Sequence, residues 1–232
     1  MLEGPDPTQP ERTSVIACAA VIEELLPYMP PGMRYRLLDS GLHANPEALK
    51  RALQEAIDAS AASSAIILLG FGLCSQAVVG LRGNGCTLVV PKVDDCIAIC
   101  LGSQAEYRAQ SSAEPGTYYL TRGWIEAGEN PFEEYDGLVG RYGEGRAQWL
   151  MGLVFKHYTR LALINTGQVE LGECSEYCRR TAKRFGLRYE EIPGCNKLIK
   201  KMLHGPWDDD FVVARPGQTI SFLDFKGTKQ QA

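Results

Sequence analysis

Apolar residues along the chain form short continuous runs that are separated by longer segments with helical spacing. The strongest run, AIILLGFG at 65–72, is uninterrupted and ends in glycine, which is typical of a strand buried on both faces. The runs VIACAA at 15–20 and CTLVVPKV at 86–93 have the same character. Because such strands alternate with helix-like segments over residues 13–105, the pattern predicts a doubly wound, mostly parallel α/β sheet.

The clearest helix is predicted for residues 43–60. Asn45 is expected to cap it, Pro46 occupies the first helical position, and leucine or isoleucine then recurs every four residues on one face. A second helix is predicted to begin after Asp94 or Asp95, since either residue suits an N-cap.

The alternation of strands and helices is interrupted near residues 103–143 and then resumes. We interpret the interruption as a covering excursion between two Rossmann-like halves of an α/β fold. The predicted division of the chain is a disordered leader at 1–12, a first half with cysteine-bearing strand ends at 13–105, a covering segment and linking helix at 106–158, a second half at 159–224, and a disordered tail at 225–232.

Composition argues against several classes of function. The 232 residues carry 24 Lys and Arg against 28 Asp and Glu, a formal net charge of −4, so no basic face for nucleic acid is expected. No apolar run reaches the roughly 18 residues that a membrane span needs. The polar, proline-rich start of the chain also lacks the apolar segment of a signal peptide. We therefore expect a cytoplasmic protein with neither a nucleic-acid nor a membrane partner, and the sequence indicates no particular oligomeric state.

Eight cysteines are many for a cytoplasmic chain, and three of them fall where buried strands are predicted to end. Cys18, Cys74 and Cys96 are far apart in sequence, but the carboxyl ends of parallel strands meet at one crevice. Three thiolates at one point suit a zinc ion with an open coordination position or an iron–sulfur cluster. We leave zinc and cluster open and favour either over a redox disulfide. The alternative is that all three are ordinary buried core residues.

Three side chains near these strand ends are candidates for proton transfer. His43 lies in a loop that is expected at the mouth of the crevice, where an imidazole could ligate a metal or move protons near neutral pH. A solvated loop histidine is the alternative. One of Asp94 and Asp95 caps a helix in our interpretation, and the other is a candidate to orient a ligand or take a proton.

Gly72 and Ser75 are candidates for contacting a cofactor, because they lie in the turn that follows the strand at 65–72. This turn lacks the third glycine of a dinucleotide-binding fingerprint, which disfavours a nicotinamide cofactor.

A later aromatic segment supplies two further candidates for the binding site. Arg122 and Trp124, with Tyr118 and Tyr119 just before them, are suited to form a stacking and anion-holding wall. The alternative for this segment is an amphipathic hairpin.

Four distinct motifs occur in a fixed order along the chain, namely GFGLCSQAVVGL, VPKVDDCIAICLGSQAEY, PGTYYLTRGW and HGPWDDDFVVARPG. In this combination the chain resembles the family known as domain of unknown function 1638, and the resemblance covers nearly the whole chain after the leader. Two positions depart from the family pattern. Asp94 stands where members usually carry histidine, so Asp94 replaces that histidine or its role is lost. Ser75, Gln76 and Ala77 stand where relatives often have Gly-Asn-Gly, which makes this turn bulkier.

The resemblance implies an association with corrinoid-dependent methyl metabolism in anaerobes. Together with the cysteines, it leads us to expect a metal- or iron–sulfur-binding protein with a small-molecule substrate, acting in one-carbon or methyl metabolism beside a corrinoid protein or a methyltransferase. If the protein is an enzyme, the expected chemistry is metal-thiolate-dependent methyl transfer. The alternative hypothesis is a non-catalytic α/β module that binds a small ligand or docks a partner and whose cysteines are structural.

Overall fold

The computed structural model describes residues 4, 6, 9–128, 130–167 and 171–226. Parts of the predicted leader and tail lie outside these residues. The described chain forms two sheets with helices on their faces, which confirms the predicted α/β class with mostly parallel strands.

The bounds of the regular elements follow in chain order. The strands are β1 (Thr13–Cys18), β2 (Arg34–Leu38), β3 (Ile66–Gly70), β4 (Thr87–Pro91), β5 (Thr117–Leu120), β6 (Arg160–Asn165), β7 (Arg188–Pro193) and β8 (Phe211–Ala214). The α-helices are α1 (Ala19–Leu25), α2 (Pro46–Ala61), α3 (Cys96–Leu101), α4 (Gln104–Ala113), α5 (Arg122–Ala127), α6 (Glu134–Tyr142), α7 (Glu144–Val154), α8 (Gly172–Phe185) and α9 (Lys197–His204).

The first sheet has five strands in the order β2-β1-β3-β4-β8. Strands β1 to β4 run parallel, with Val15 of β1 aligned on Tyr35 of β2 and on Leu68 of β3. The fifth strand, β8, is antiparallel to β4. Every residue of β1 is buried, because helices cover both faces of the sheet at its centre.

The second sheet has three parallel strands in the order β5-β6-β7. Helix α8 packs against β6 and β7. An aromatic cluster fills the space on this sheet, where the rings of Phe132 and Phe155 stack with centroids 4.5 Å apart.

The sheets divide the chain differently from the sequence-based division at two places. Strand β5 lies within the segment 106–158 that we expected to be a cover, yet it pairs with β6 in the second sheet. Helix α9 and strand β8 lie within the expected second half, yet both pack on the first sheet. Strand β8 pairs with the free edge of β4. Pairing between strands so far apart in sequence leaves no local pattern from which it could be predicted.

Two predicted helix caps are confirmed in detail. The side-chain oxygen of Asn45 accepts a hydrogen bond of 3.1 Å from the Ala48 N–H, and Pro46 is the first residue of α2. Of the two candidate aspartates, Asp95 caps α3, since its carboxylate accepts hydrogen bonds from the Ile97 and Ala98 N–H groups at 2.9 and 3.4 Å.

The two halves are held together by close packing and by hydrogen bonds. Helix α5 crosses α1 at Gly123, where an added Cβ would lie only 2.8 Å from the Ala20 Cα. The Thr166 hydroxyl, just after β6, donates a hydrogen bond of 2.7 Å to the buried carboxylate of Glu24 in α1. Within the part of the chain that the structure describes, we find no helix both long and apolar enough to cross a bilayer.

Candidate functional site

Four neighbouring strands of the first sheet each lead to one candidate residue at their carboxyl ends. His43 follows β2, Cys18 is the last residue of β1, Cys74 follows β3, and Cys96 is the first residue of the helix after β4. Because β2, β1, β3 and β4 are consecutive and parallel, these side chains are delivered to the same edge of the sheet. The three thiols are 1 to 8% exposed and belong to the core of the first half.

Cys18 is the thiol whose environment most favours its charged form. A hydrogen bond from the Cys96 thiol is the largest influence and holds the pKa of Cys18 well below its ordinary value. Burial acts in the opposite direction, while His43 lowers the pKa further by a hydrogen bond and by its positive charge. Cys96 and His43 therefore both favour the charged form of the Cys18 thiol.

The pKa values of Cys96 and Cys74 are shifted in the opposite direction, upward. The pKa of Cys96 is raised well above its ordinary value, first because its thiol donates to Cys18 and then because it is buried. Burial raises the pKa of Cys74 to about 12, and the negative charge of Cys18 adds to the effect. The three thiols are thus close enough to influence one another, and ionisation of one suppresses ionisation of the other two. Cys18, Cys74 and Cys96 are together called the thiol group below.

The turn that carries Cys74 has an unusual backbone. Cys74, Ser75 and Gln76 have φ angles of 44°, 55° and 70°, in the left-handed region that is costly for residues with a side chain. Hydrogen bonds from the Leu73 N–H to the Val93 carbonyl (2.8 Å) and from the Cys74 N–H to the Asp94 carbonyl (3.0 Å) hold this turn against the loop after β4. The strain is therefore fixed in place by backbone contacts between two strand ends.

Gly72 makes this contact between the two loops possible. A Cβ at this position would lie 2.7 Å from both the N and the Cα of Asp95. Gly72 was a candidate for cofactor binding, and the structure places it in the packing between loops. Ser75, the other candidate from this turn, is exposed at the surface.

A cavity of about 500 Å³ lies beside the thiol group, between the carboxyl end of the first sheet and the second sheet. His43 and Asp95 from the first half and Trp124, Tyr118 and Tyr119 from the second half all line it. His43 therefore contacts the thiol group and also borders the cavity.

Asp95 is the candidate aspartate that faces the cavity. Burial raises its pKa, against hydrogen bonds from the Tyr107 hydroxyl and from the first turn of α3, which lower it. Asp94 is exposed instead, and its carboxylate accepts a hydrogen bond of 2.6 Å from the side-chain amide of Gln104, whose oxygen accepts from the Asp94 N–H. Within this structure the carboxylate of Asp94 supports the loop after β4.

Arg122 does not join the wall that we expected it to form with Trp124. Its Nε lies 2.5 Å from the Glu126 carboxylate, one turn along α5, and its side chain borders a separate small cleft beside Glu23 and Glu24. Residues two positions apart on a helix face different sides, so Arg122 and Trp124 cannot share a surface once the segment is helical. The expectation of an anion-holding arginine in this wall is corrected.

The sequence did not indicate three residues that line the cavity, namely Tyr107, Glu114 and Tyr158. Tyr107 lies on α4, and burial together with the charge of Asp95 raises its pKa to about 12. Tyr107 ends one of the four family motifs, but nothing in that motif indicates that its side chain lines a cavity. Glu114 and Tyr158 lie outside the motifs, and only tertiary packing places them on this wall.

Among the described residues, no group of three or more His, Cys, Asp or Glu side chains has the arrangement of a formed metal site.

Fold and site together define an α/β protein with a buried thiol group at the carboxyl edge of a parallel sheet, next to a ligand-sized cavity. The model of the family described as "Protein of unknown function (DUF1638)" matches residues 37–203, and the chain belongs to this family. The matched segment includes His43, Cys74 and Cys96, whereas Cys18 precedes it. No curated protein and no solved structure matches the chain.

Proposed function

We propose that this protein binds a metal ion or an iron–sulfur cluster through Cys18, Cys74 and Cys96 and acts in one-carbon or methyl metabolism. The observation that carries the proposal is that thiols from three adjacent parallel strands reach one edge of the sheet and perturb one another's ionisation. A core that needed only small apolar side chains would not require three interacting thiols.

The chemistry of the donor set fits a thiophilic metal. Three buried thiols cannot all ionise without a nearby cation, and His43 offers only one compensating charge. A bound cation lowers the pKa of every ligand thiol at once, so binding would release protons and draw the three sulfur atoms around the ion. Thiolates select zinc and iron–sulfur clusters over harder ions, and our proposal keeps both of these options.

When bound, such a centre supplies an open position that holds a substrate thiol or another ligand in its deprotonated form. The chain supplies the surroundings. The strained turn at Cys74 fixes one donor, His43 can take up a proton between the thiol group and the cavity, and Asp95 places a carboxylate on the cavity wall. The cavity of about 500 Å³ has the volume of a typical site for a small-molecule substrate.

The place in methyl metabolism draws on the family resemblance. The family's association with corrinoid-dependent methyl metabolism points to a corrinoid protein or a methyltransferase as the partner. A buried thiolate centre beside a substrate cavity is compatible with accepting or delivering a methyl group at sulfur.

Metal analysis of the full-length protein, purified without oxygen, tests this proposal. We expect about one zinc ion or one cluster for each chain, as three thiolate ligands at one site imply. Visible absorption distinguishes the two, because a cluster is coloured and zinc is colourless. The variant Cys74→Ala should lose the metal and keep its fold.

Cys86→Ala is the matched control for this experiment. Cys86 is also fully buried in the first half, but it precedes β4 and therefore lies at the opposite end of the strand from Cys96. Its variant should retain the metal. Protein that is metal-free when purified without oxygen, or unchanged metal content in Cys74→Ala, would overturn the proposal and leave the non-catalytic module with structural cysteines.

A further inference from the structure

The cavity beside His43 has walls that are aromatic and acidic. Five aromatic residues line it, namely Tyr107, Tyr118, Tyr119, Trp124 and Tyr158. Two carboxylate side chains, Asp95 and Glu114, also border it. Aromatic faces carry negative electrostatic potential, so rings and carboxylates together favour a positively charged ligand.

No Lys or Arg offsets this charge among the described residues that line the cavity, and His43 is the one basic side chain in that lining. Glu114 is paired with Arg188 outside the cavity at 2.6 Å. The carboxylate of Asp95 is held by two backbone N–H groups and by the Tyr107 hydroxyl. Asp95 is therefore the carboxylate best placed to attract a cation.

Two of the rings are in direct contact. The centroids of Tyr118 and Tyr158 are 5.4 Å apart and their planes are inclined at 68°, an edge-to-face contact that makes them one continuous part of the wall. Aromatic faces in such a wall attract the methyl groups of a quaternary ammonium ion.

We infer that this cavity binds a small organic cation, a quaternary or methylated ammonium compound. The inference deepens the proposed function and depends on it in one respect, because it takes this cavity to be the substrate site beside the thiol centre. A quaternary ammonium compound would then be a methyl donor: its N–CH₃ bond would break, the methyl group would form a new bond to a thiolate sulfur, and the neutral tertiary amine would leave.

Choline is a suitable probe, because it is a small compound with a quaternary ammonium group. Its uncharged isostere, 3,3-dimethylbutan-1-ol, has the same shape. Calorimetric titration of the full-length protein should show that choline binds at least about tenfold more tightly than the isostere, the difference expected of a desolvated cation among aromatic rings.

Asp95→Asn tests the charge on the wall. Asn caps helices as well as Asp does, so α3 should be preserved while the charge is removed. We expect this variant to lose about tenfold or more in choline affinity. Asp94→Asn is the matched control, because Asp94 is the adjacent carboxylate and lies outside the cavity lining; its affinity should be unchanged. Tyr158→Leu, at a partly exposed position, tests the aromatic wall independently of the cap and should also weaken choline binding.

The inference is overturned if choline does not bind, if the isostere binds equally well, or if both aspartate variants lose affinity equally. The metal content of the same preparations separates this result from a failure of the proposed function. Metal-loaded protein that does not bind choline would contradict the cation site alone. Metal-free protein that binds choline would contradict the thiolate centre alone.

Discussion

Cys74, Ser75 and Gln76 place three consecutive residues in the left-handed region, where Cβ crowds the following carbonyl oxygen. Each such residue costs on the order of 1–2 kcal/mol, so the turn is retained only because contacts around it fix its shape. Those contacts are the two hydrogen bonds to the loop after β4 and the close approach at Gly72. Strain of this kind is characteristic of positions that aim a side chain at a functional site.

Ser75→Gly should stabilise the folded protein. Glycine adopts φ of 55° without a steric penalty, and this gain exceeds the added entropy of the unfolded chain, so we expect a net increase of about 0.5–1 kcal/mol in the free energy of unfolding. Urea denaturation measures it. Ser75→Ala keeps the Cβ and should bring no stabilisation. A Ser75→Gly variant less stable than the parent would show that the left-handed turn is not under strain.

At the residue scale, strand order determines where Cys18, Cys74 and Cys96 lie. They follow adjacent parallel strands and so reach the same edge of the first sheet, while their role as ligands stays a prediction. Arg122 was misplaced because we treated Arg122 and Trp124 as neighbours on one wall, whereas residues 122–127 form a helix and the two side chains face different sides. Tyr107 and Tyr158 come from a helix and a loop whose docking depends on tertiary packing, which single-residue patterns do not encode.

At the scale of elements, the joint between the halves depends on the approach of α5 to α1. Gly123 brings the two helices so close that an added Cβ would lie 2.8 Å from the Ala20 Cα and 2.9 Å from its carbonyl oxygen. These are backbone atoms, which cannot rotate away, so any side chain at this position must push the helices apart. The same joint places Trp124 at the cavity.

Gly123→Ala should therefore destabilise the protein, by about 1–3 kcal/mol, as overpacking does. Gly137→Ala is the matched control, because Gly137 lies within α6 and an added Cβ there would meet nothing within 4 Å. The control should gain up to about 1 kcal/mol, because alanine favours the helix. Thermal unfolding of both variants measures the contrast, and equal effects at the two sites would contradict a tight α5–α1 contact.

Element boundaries were predictable where caps and periodicity agree, as at the N-terminus of α2 and at the N-cap of α3. The membership of β5 and β8 in their sheets was not. Both are four-residue strands, and the partner of a short strand is chosen by whichever sheet edge is free in the assembled fold.

For the whole molecule, buried thiols and phenols imply a loss of stability at alkaline pH. Burial raises the pKa of Cys74, Cys178 and Tyr118 to about 12 in the folded state. In the unfolded chain a thiol titrates near 8.5 and a phenol near 10. As the pH rises above about 8.5, the unfolded state releases protons that the folded state keeps, so stability falls until the folded pKa is reached. Cys18 has a lowered pKa and contributes in the opposite sense, with stability that is lost on acidification through its folded pKa.

We expect the free energy of unfolding to decrease steadily between about pH 8.5 and 11, by at most about 1.4 kcal/mol per pH unit for each buried thiol. Urea titrations under reducing conditions at several pH values measure the slope. Cys178→Ala removes one contributor and should make the slope shallower, whatever its effect on stability at neutral pH. A free energy that does not change over this range would contradict the raised thiol pKa values.

The antiparallel strand β8 also has a consequence for the order in which the chain can assemble. The first sheet begins at Thr13 but is finished only when residues 211–214 reach the edge of β4, after the complete second sheet has been synthesised. During synthesis on the ribosome, one edge of β4 therefore stays unpaired until the residues after the second sheet have been made. A single cleavage cannot release either lobe as an intact fragment, because the segments that form the first sheet lie on both sides of the second sheet in the sequence.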